Sequence, residues 1–154
     1  MRLLLLLTSF HGRISRSAWW HAFAIVIAAT VIGSLILDPG VWTADPPRPP
    51  TVALALWDLF LVVPMTAATV KRFNDREWPP WLGYAMAALG ATMVVAEQWG
   101  FMVDPDTAPS IHYAIFSLVA AIFALALIDN GFLRGTAGPN RYGPDPLSPD
   151  APAA

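Results

Sequence analysis

The sequence predicts an all-α membrane protein with four spanning helices and both termini in the cytoplasm, and three observations support this fold class. Apolar residues make up 56% of the 154 residues and charged residues 13%, against about half and about a quarter in soluble domains. Four apolar runs have about the length that crosses a bilayer. The basic residues cluster on one side of these runs. A soluble globular domain is the second candidate class.

The chain length suits one domain, predicted over residues 1–147, with a disordered tail over 148–154. A short apolar segment opens this domain. It resembles the start of a secretory signal, but its apolar core is short and no small-residue cleavage site precedes His11. We therefore expect it to lie in the membrane interface, with Phe10 buried and Arg2 reaching the headgroups.

The first span is predicted over residues 18–37. Ser15 or Ser17 stands just before it, where a side-chain oxygen caps the first free amides of a helix. Asp38-Pro39-Gly40 ends the helix, because proline and glycine there do not continue it. The proline-rich stretch that follows predicts an extended loop.

The second span is predicted over residues 51–70. It carries Asp58 and Pro64 within it and stops before Lys71 and Arg72. Their positive charges complement the negative end of the helix dipole. This helix is therefore expected to lead directly into a basic loop.

The third and fourth spans are predicted over residues 81–103 and 111–128. Glu97 and Gln98 interrupt the third run near its far end, and a short acidic loop with prolines separates the two runs. The fourth run is barely long enough to cross the hydrocarbon, so its predicted ends are the least precise of the four.

The orientation follows from the basic residues alone. Eight of the nine lie before the first span, between the second and third, or after the fourth: Arg2, Arg13, Arg16, Lys71, Arg72, Arg76, Arg134 and Arg141. The two other loops contain one basic residue, Arg48. The positive-inside rule therefore places both termini and the central loop in the cytoplasm.

Three motifs identify a resemblance to a known family. They are Gly12-Arg13-Ile14-Ser15-Arg16 with Trp19 or Trp20, Lys71-Arg72-Phe73-Asn74-Asp75 with Trp81, and Gly138-Pro139-Asn140-Arg141-Tyr142-Gly143-Pro144-Asp145-Pro146. Their order and spacing resemble the domain-of-unknown-function 805 family of small bacterial inner-membrane proteins, over nearly the whole chain. The resemblance implies a multi-pass protein of the bacterial inner membrane. It implies no reaction, since the family has no established activity.

The chain departs from the family pattern within the second motif. Asn74 stands where the resemblance implies histidine, and Pro79-Pro80 replace small residues. If that histidine carries out proton chemistry in the relatives, this chain has lost it.

All three motifs fall on the predicted cytoplasmic face, where they can form one charged cap with a structural, lipid-binding or partner-binding role. Its candidate residues are Arg13, Arg16, Lys71, Arg72, Asp75, Trp81, Asn140, Arg141 and Tyr142. One alternative is that the basic side chains orient the helices and contact anionic headgroups, at about 1 kcal/mol each. Another is that a bidentate arginine, Arg13 or Arg72, binds a phosphate-bearing lipid or a partner's acidic segment. Catalysis is the third alternative, and no Ser-His-Asp spacing or phosphate-binding glycine loop favours it.

The sequence therefore predicts a non-catalytic accessory or scaffolding protein, and not an enzyme. Its expected partners are membrane lipids with anionic headgroups and a further membrane protein. The net charge of −2 does not favour nucleic acid. With no cysteine and three scattered histidines, neither a metal site nor a cofactor is predicted.

Two acids inside the predicted spans support an alternative function. Asp58 is seven residues from the outer end of its span and Glu97 six from that of its own, so both lie about 9 to 11 Å deep from the same face. An acid at such depth is costly to insert and is by default a functional candidate. The alternative is thus a small-solute or ion translocator. If the two acids have only a structural role, Glu97 lies at the end of a shorter third helix and Asp58 bonds to the backbone of a neighbouring helix.

Overall fold

A computed structural model describes residues 3–101 and 103–148, and these residues form five α-helices. The helices are α1 (Leu3–Thr8), α2 (Arg16–Leu37), α3 (Val52–Asp75), α4 (Trp81–Gln98) and α5 (Ser110–Phe132). Within the described ranges the only β feature is an isolated bridge between Asn140 and Gly143. The predicted all-α class is confirmed. Arg2 and the predicted tail beyond Ser148 lie outside the described residues.

Three of these helices are long and apolar enough to cross a membrane. They are α2, α3 and α5, with 22, 24 and 23 residues, or about 33 to 36 Å at 1.5 Å per residue, against about 30 Å of hydrocarbon. Their outer faces carry exposed large apolar side chains such as Ile36, Leu118 and Leu125. Lipid-facing helices require such side chains, so the chain fits a multi-pass membrane protein.

Helix α2 begins at a capped end and α3 runs past its predicted limit. Ser15 is the N-cap of α2, since its hydroxyl oxygen accepts from the Ala18 amide over 3.2 Å. Helix α3 continues from the predicted end at residue 70 through Asp75. Its last polar side chains are buried and bonded, which stabilises helical backbone that the apolar pattern alone does not predict.

Helix α4 ends at Gln98, whereas the predicted span extends to residue 103. The Gly100 amide donates to the Glu97 carbonyl over 3.1 Å, and the Phe101 amide to the Ala96 carbonyl over 3.1 Å. This is the pattern of a Schellman cap, and Gly100 takes the positive φ of 85° that the cap requires. The turn stops the helix although apolar residues follow.

The last helix is longer than predicted, and the N-terminal apolar segment is itself helical. Helix α5 continues from the predicted limit at residue 128 to Phe132. The N-terminal apolar segment forms α1, in which Leu6 is buried. Phe10, predicted to be buried, is half-buried and stacks on Tyr84 with 6.0 Å between ring centroids.

Helix α3 lies at the centre, with α1, α2 and α4 packed against it, while α5 packs mainly on α2. Small residues allow the closest approaches. A Cβ at Gly83 of α4 would lie 2.5 Å from Val70 Cγ2, and one at Gly131 of α5 would lie 2.7 Å from Trp20 Cζ2. Membrane helices commonly meet at such residues. Helices α4 and α5 have little contact with each other.

Candidate functional site

The carboxylate of Asp75, the last residue of α3, lies between two arginine side chains. Arg13 Nε donates to Asp75 Oδ1 over 3.0 Å, and Arg13 Nη2 lies 2.9 Å from the same oxygen. Arg72 Nη1 donates to Oδ2. The side chains of Arg13 and Arg72 are 1% exposed and that of Asp75 is 4% exposed. We call these three residues the buried triad. Its charges are desolvated and are stabilised only while they remain paired.

The remaining donors of Arg13 bind the segment that follows α5. Its two terminal nitrogens donate to the carbonyl oxygens of Thr136 at 2.6 Å, Gly138 at 2.7 Å and Gly143 at 3.3 Å. The planar guanidinium is suited to several fixed acceptors at once. Arg13 therefore joins the segment before α2 to the C-terminal segment.

The remaining donors of Arg72 bind the end of α5. Arg72 Nε donates to the Asn130 carbonyl over 2.8 Å, and Nη2 donates to the Leu133 carbonyl. Arg72 Nη1 also reaches the Ile14 carbonyl at 3.5 Å. The last carbonyls of a helix have no partner within it and are favourable sites for a positive charge.

Two residues of α2 complete this capping of α5, whose last turn contains no basic residue. Trp20 Nε1 donates to the Gly131 carbonyl over 3.0 Å, and Arg16 Nη1 to the Phe132 carbonyl over 2.9 Å. The end of α5 is thus capped by side chains from other helices and not by its own sequence.

Lys71 caps α1 in the same way. Its ammonium group donates to the carbonyls of Leu5 and Leu6, each over 2.8 Å, and the residue is 2% exposed. The Leu5 carbonyl also accepts from the Ser9 amide over 3.2 Å. The Leu6 carbonyl lies in the last turn of α1, where carbonyls run out of helical partners. Lys71 therefore anchors the N-terminal helix to α3.

The C-terminal segment in turn caps α3. The Thr136 amide donates to the Asp75 carbonyl over 2.8 Å, and Asn140 Nδ2 to the Asn74 carbonyl over 3.0 Å. A Cβ at Gly135 would overlap the Asp75 carboxylate, so only glycine fits there. Asn74 also donates from Nδ2 to the Gly12 carbonyl over 3.0 Å.

Asp145 shapes the turn that this segment makes. Its carboxylate accepts from the Leu147 and Gly138 amides, each over 2.9 Å. These two backbone hydrogen bonds lower the pKa of Asp145. The carboxylate thereby holds the glycine-proline turns in one conformation.

The structure brings most of the predicted cap residues together. Arg13, Arg72, Asp75 and Asn140 share one bonded network, and Arg16 and Lys71 adjoin it.

Three predicted cap residues lie at the edge of this network or outside it. Arg141 is exposed, with its guanidinium 4.7 Å above the ring of Tyr142, whose hydroxyl reaches the Trp78 carbonyl at 3.5 Å. Trp81 does not join the network. It is the first residue of α4 and is 62% exposed.

Sequence reasoning missed several residues of the network. Thr136 and Gly135 belong to none of the three sequence motifs. Asp129 and Asn130 could have been found only from the polar run that ends the fourth apolar stretch. Asp129 Oδ1 lies 2.9 Å from Arg76 Nη2.

The two acids predicted to lie within the membrane occupy different positions in their helices, whereas the predicted spans place them at equal depth. Asp58 lies seven residues beyond the α3 N-cap, Thr51, whereas Glu97 is the penultimate residue of α4 and is exposed. The earlier end of α4 accounts for this difference. Asp58 is half-buried, and its Oδ1 atom is buried without a hydrogen-bond partner.

Metal ligands do not cluster in the part of the chain that the structure describes. Within residues 3–101 and 103–148 no group of three or more histidine, aspartate or glutamate side chains could hold a metal ion. The polar atoms of the buried triad are also occupied by one another and by backbone carbonyls. This arrangement is suited to holding segments together.

Comparison with known proteins identifies relatives over most of the chain. The model of the family described as "Protein of unknown function (DUF805)" matches residues 7–144. The "Uncharacterized protein YiiR" of Escherichia coli strain K12 is 30% identical over 141 residues, covering 90% of this chain and 86% of the relative. The protein of the same name in Escherichia coli O157:H7 gives the same values. No solved structure matches the chain.

Proposed function

Since the chain belongs to the DUF805 family of proteins of unknown function, we propose its role from its own geometry: a non-catalytic accessory or scaffolding protein of the bacterial inner membrane. The observation that carries the proposal is the buried triad. Its two arginines donate hydrogen bonds to Asp75 and to backbone carbonyls of three separate segments. Such a network fixes the shape of one end of the bundle, which is what a docking platform requires.

The exposed rim of this platform is where partners bind. Arg13 and Arg72 are buried, so they are not the arginines that meet a headgroup or an acidic segment. Arg16, Arg134 and Arg141 are exposed around the triad. Near a membrane surface each contributes about 1 kcal/mol of attraction to anionic lipid. The same side chains are available to the acidic segment of a membrane-protein partner.

The proposal includes four spans with both termini in the cytoplasm. Helix α4 has 18 residues, or about 27 Å at 1.5 Å per residue. Gln98 at its end donates to the Pro50 carbonyl over 3.3 Å, next to the start of α3, which supports an antiparallel pair of similar reach. The contacts of Arg13 and Asp75 with the C-terminal segment support a common side for both termini.

Topology can be tested with single cysteines, because the chain has none of its own. A membrane-impermeant maleimide should label Glu77→Cys in inverted vesicles and Asp106→Cys in right-side-out ones. Labelling of both positions from the same side would contradict the four-span arrangement.

The scaffolding role is tested by cross-linking in native membranes. We expect a reproducible protein partner with the parent chain, and its loss in the double variant Arg134→Glu/Arg141→Glu. The matched control, Asp104→Lys/Asp106→Lys, changes as many charges at the opposite end and should keep the partner. The role is refuted if no protein cross-links to the parent, or if the rim variant retains the product.

A small-solute or ion translocator is the second candidate, favoured by the unpartnered Oδ1 atom of Asp58 within a span. Proton or cation flux into reconstituted vesicles would support it if the double variant Asp58→Asn/Glu97→Gln abolished that flux. Vesicles with the parent chain that carry no flux would remove this candidate.

A further inference from the structure

A polar cavity of about 330 Å³ lies beside the buried triad, between the start of α2, the end of α3 and the segment that follows α5. Its volume is at the lower end of the range of about 300 to 1,000 Å³ typical of small-molecule sites. Three arginines exceed two aspartates in its lining, which leaves a positive charge that favours an anion. These residues are Arg16, Arg72, Arg134, Asp75 and Asp145.

The two acids of the cavity already have a donor on each carboxylate oxygen. Asp75 accepts from the two arginines of the buried triad, one at each oxygen. Asp145 accepts from the Leu147 amide at Oδ1 and from the Gly138 amide at Oδ2, each over 2.9 Å. Neither carboxylate requires a cation from outside, so the acids do not make this cavity a cation site.

Two of the arginines, in contrast, have donors that no described residue uses. Arg16 is exposed and donates from Nη1 to the Phe132 carbonyl, which leaves its other N–H groups available. Arg134 is also exposed. Within residues 3–101 and 103–148 its carbonyl accepts from Arg76 Nη1, but its guanidinium has no partner. The cavity therefore offers N–H donors and positive charge together, which is the combination that binds phosphate.

The position of the cavity favours the phosphate of a lipid over a soluble phosphate. Arg16 is the first residue of α2 and Phe132 the last of α5, so their hydrogen bond joins the ends of two of the long apolar helices. In the proposed arrangement these ends lie at the cytoplasmic membrane surface, at the depth of the lipid headgroups. Phe132 and Leu133, just before Arg134 in the chain, are 58% and 43% exposed. Exposed apolar side chains next to arginines suit a ligand that has both a phosphate and acyl chains.

We propose that this cavity binds the phosphate of an anionic phospholipid of the phosphatidylglycerol type. Arg16 and Arg134 donate to the phosphate oxygens, and the acyl chains extend past Phe132 and Leu133 into the bilayer. The inference rests on the proposed function, because it assigns a lipid to one part of the exposed rim. Arg141, the third arginine of the rim, is not among the residues that line the cavity and takes no part in this site.

The test uses the purified full chain in nanodiscs of phosphatidylcholine. These contain a trace of phosphatidylglycerol with a photoactivatable group on its acyl chain, close to the glycerol. We expect covalent labelling of peptides at the start of α2 and the end of α5. Unlabelled phosphatidylglycerol in the nanodiscs should reduce this labelling, whereas the same amount of phosphatidylethanolamine, or soluble glycerophosphate in the buffer, should not.

Arginine variants separate a defined site from diffuse attraction to anionic lipid. Arg134→Gln should lower the labelling about 10-fold, the effect of one hydrogen bond to a charged group. Arg134→Lys keeps the charge but loses the planar fork of donors, and should lower it about 3-fold or more. The matched control Arg141→Lys should leave the labelling unchanged. Because the Arg134 guanidinium has no partner within the described residues, both Arg134 variants should keep the helix content and thermal midpoint of the parent.

Three results would overturn the proposal. The first is unchanged labelling in Arg134→Lys, which indicates diffuse attraction only. The second is equal displacement by phosphatidylethanolamine or by glycerophosphate, which indicates a site that does not select an anionic lipid. The third is absence of labelling at these helix ends together with a protein cross-link at Arg134→Cys in native membranes, which would assign the cavity to a protein partner. The nanodiscs contain no other membrane protein, so this test can fail while the scaffolding role holds, and the reverse.

Discussion

Each end of the helix bundle contains a buried carboxylate bonded to arginine, but the two clusters join different parts of the chain. At one end the buried triad joins Arg13 to Asp75, 62 residues away. At the other, Asp38 accepts from Arg48 Nη2 at 2.5 Å and from the Thr51 amide at 2.8 Å. Arg48 is only 10 residues from Asp38. We call this second cluster the loop clasp.

The difference in burial determines what each cluster contributes. In the loop clasp the Asp38 side chain is 2% exposed but that of Arg48 is 42% exposed, so water can replace the arginine. In the buried triad no member can be replaced by water. The loop clasp therefore closes one connection, whereas the triad holds distant segments in one arrangement. Of the two clusters, the one whose ion pair joins distant segments is also the desolvated one, which is costly to break, whereas the local pair is partly exposed and contributes less.

The largest effect is expected from Asp75→Ala. It leaves two buried guanidinium groups without their carboxylate, which typically costs about 3 to 5 kcal/mol. The free energy of unfolding in mixed detergent micelles measures this loss. Asp38→Ala is the matched control and should cost less, because Arg48 is then free to hydrate. Equal losses would show that the two clusters do not differ.

A smaller effect is expected from Arg13→Ala, because Asp75 keeps Arg72. The C-terminal segment loses three carbonyl contacts, so it should detach before the helices unfold. Trypsin should then cleave after Arg134 and Arg141 faster than in the parent. Arg48→Ala should not change that rate. An unchanged rate in Arg13→Ala would show that the triad does not hold this segment in place.

The smallest effect is expected from lowering the pH, which weakens the loop clasp. The hydrogen bond from Arg48 lowers the pKa of Asp38 from 3.8 to about 2. A carboxyl group with a lowered pKa adds stability above its unfolded pKa and loses it as pH falls through the folded pKa. The thermal midpoint should therefore fall between about pH 4 and pH 2. Arg48→Ala should flatten this part of the profile, and an equally steep profile would exclude the pair as its cause.

The sequence predicts the helices well because apolar runs and caps are local signals. The ends of α3, α4 and α5 differ from their predicted limits, and α4 is the one that ends early. Apolar residues continue past Gln98, and the turn at Gly100 stops the helix within a run that hydropathy assigns to the span. Hydropathy measures transfer to lipid and does not register backbone conformation, which is why Glu97 is predicted deeper than its place in α4.

The residues of the charged cap were partly predictable, but their pairing was not. The distribution of basic residues predicts one face for Arg13, Arg72 and Asp75. It does not predict that Asp75 is shared by both arginines, because that depends on how three segments pack. Gly135 carries no motif, yet it lies against the Asp75 carboxylate. Trp81 shows the reverse case, since proximity in sequence to the second motif does not bring it into the network.

The coupling of distant segments by the triad is measured by a double-mutant cycle on Arg13 and Asp75. The free energy of unfolding is measured for the parent, Arg13→Ala, Asp75→Ala and the double variant. We predict a coupling energy of about 2 to 3 kcal/mol, the upper range for residues in one bonded network. A coupling below about 0.5 kcal/mol, the value of an exposed ion pair, would show that the triad does not hold these segments together.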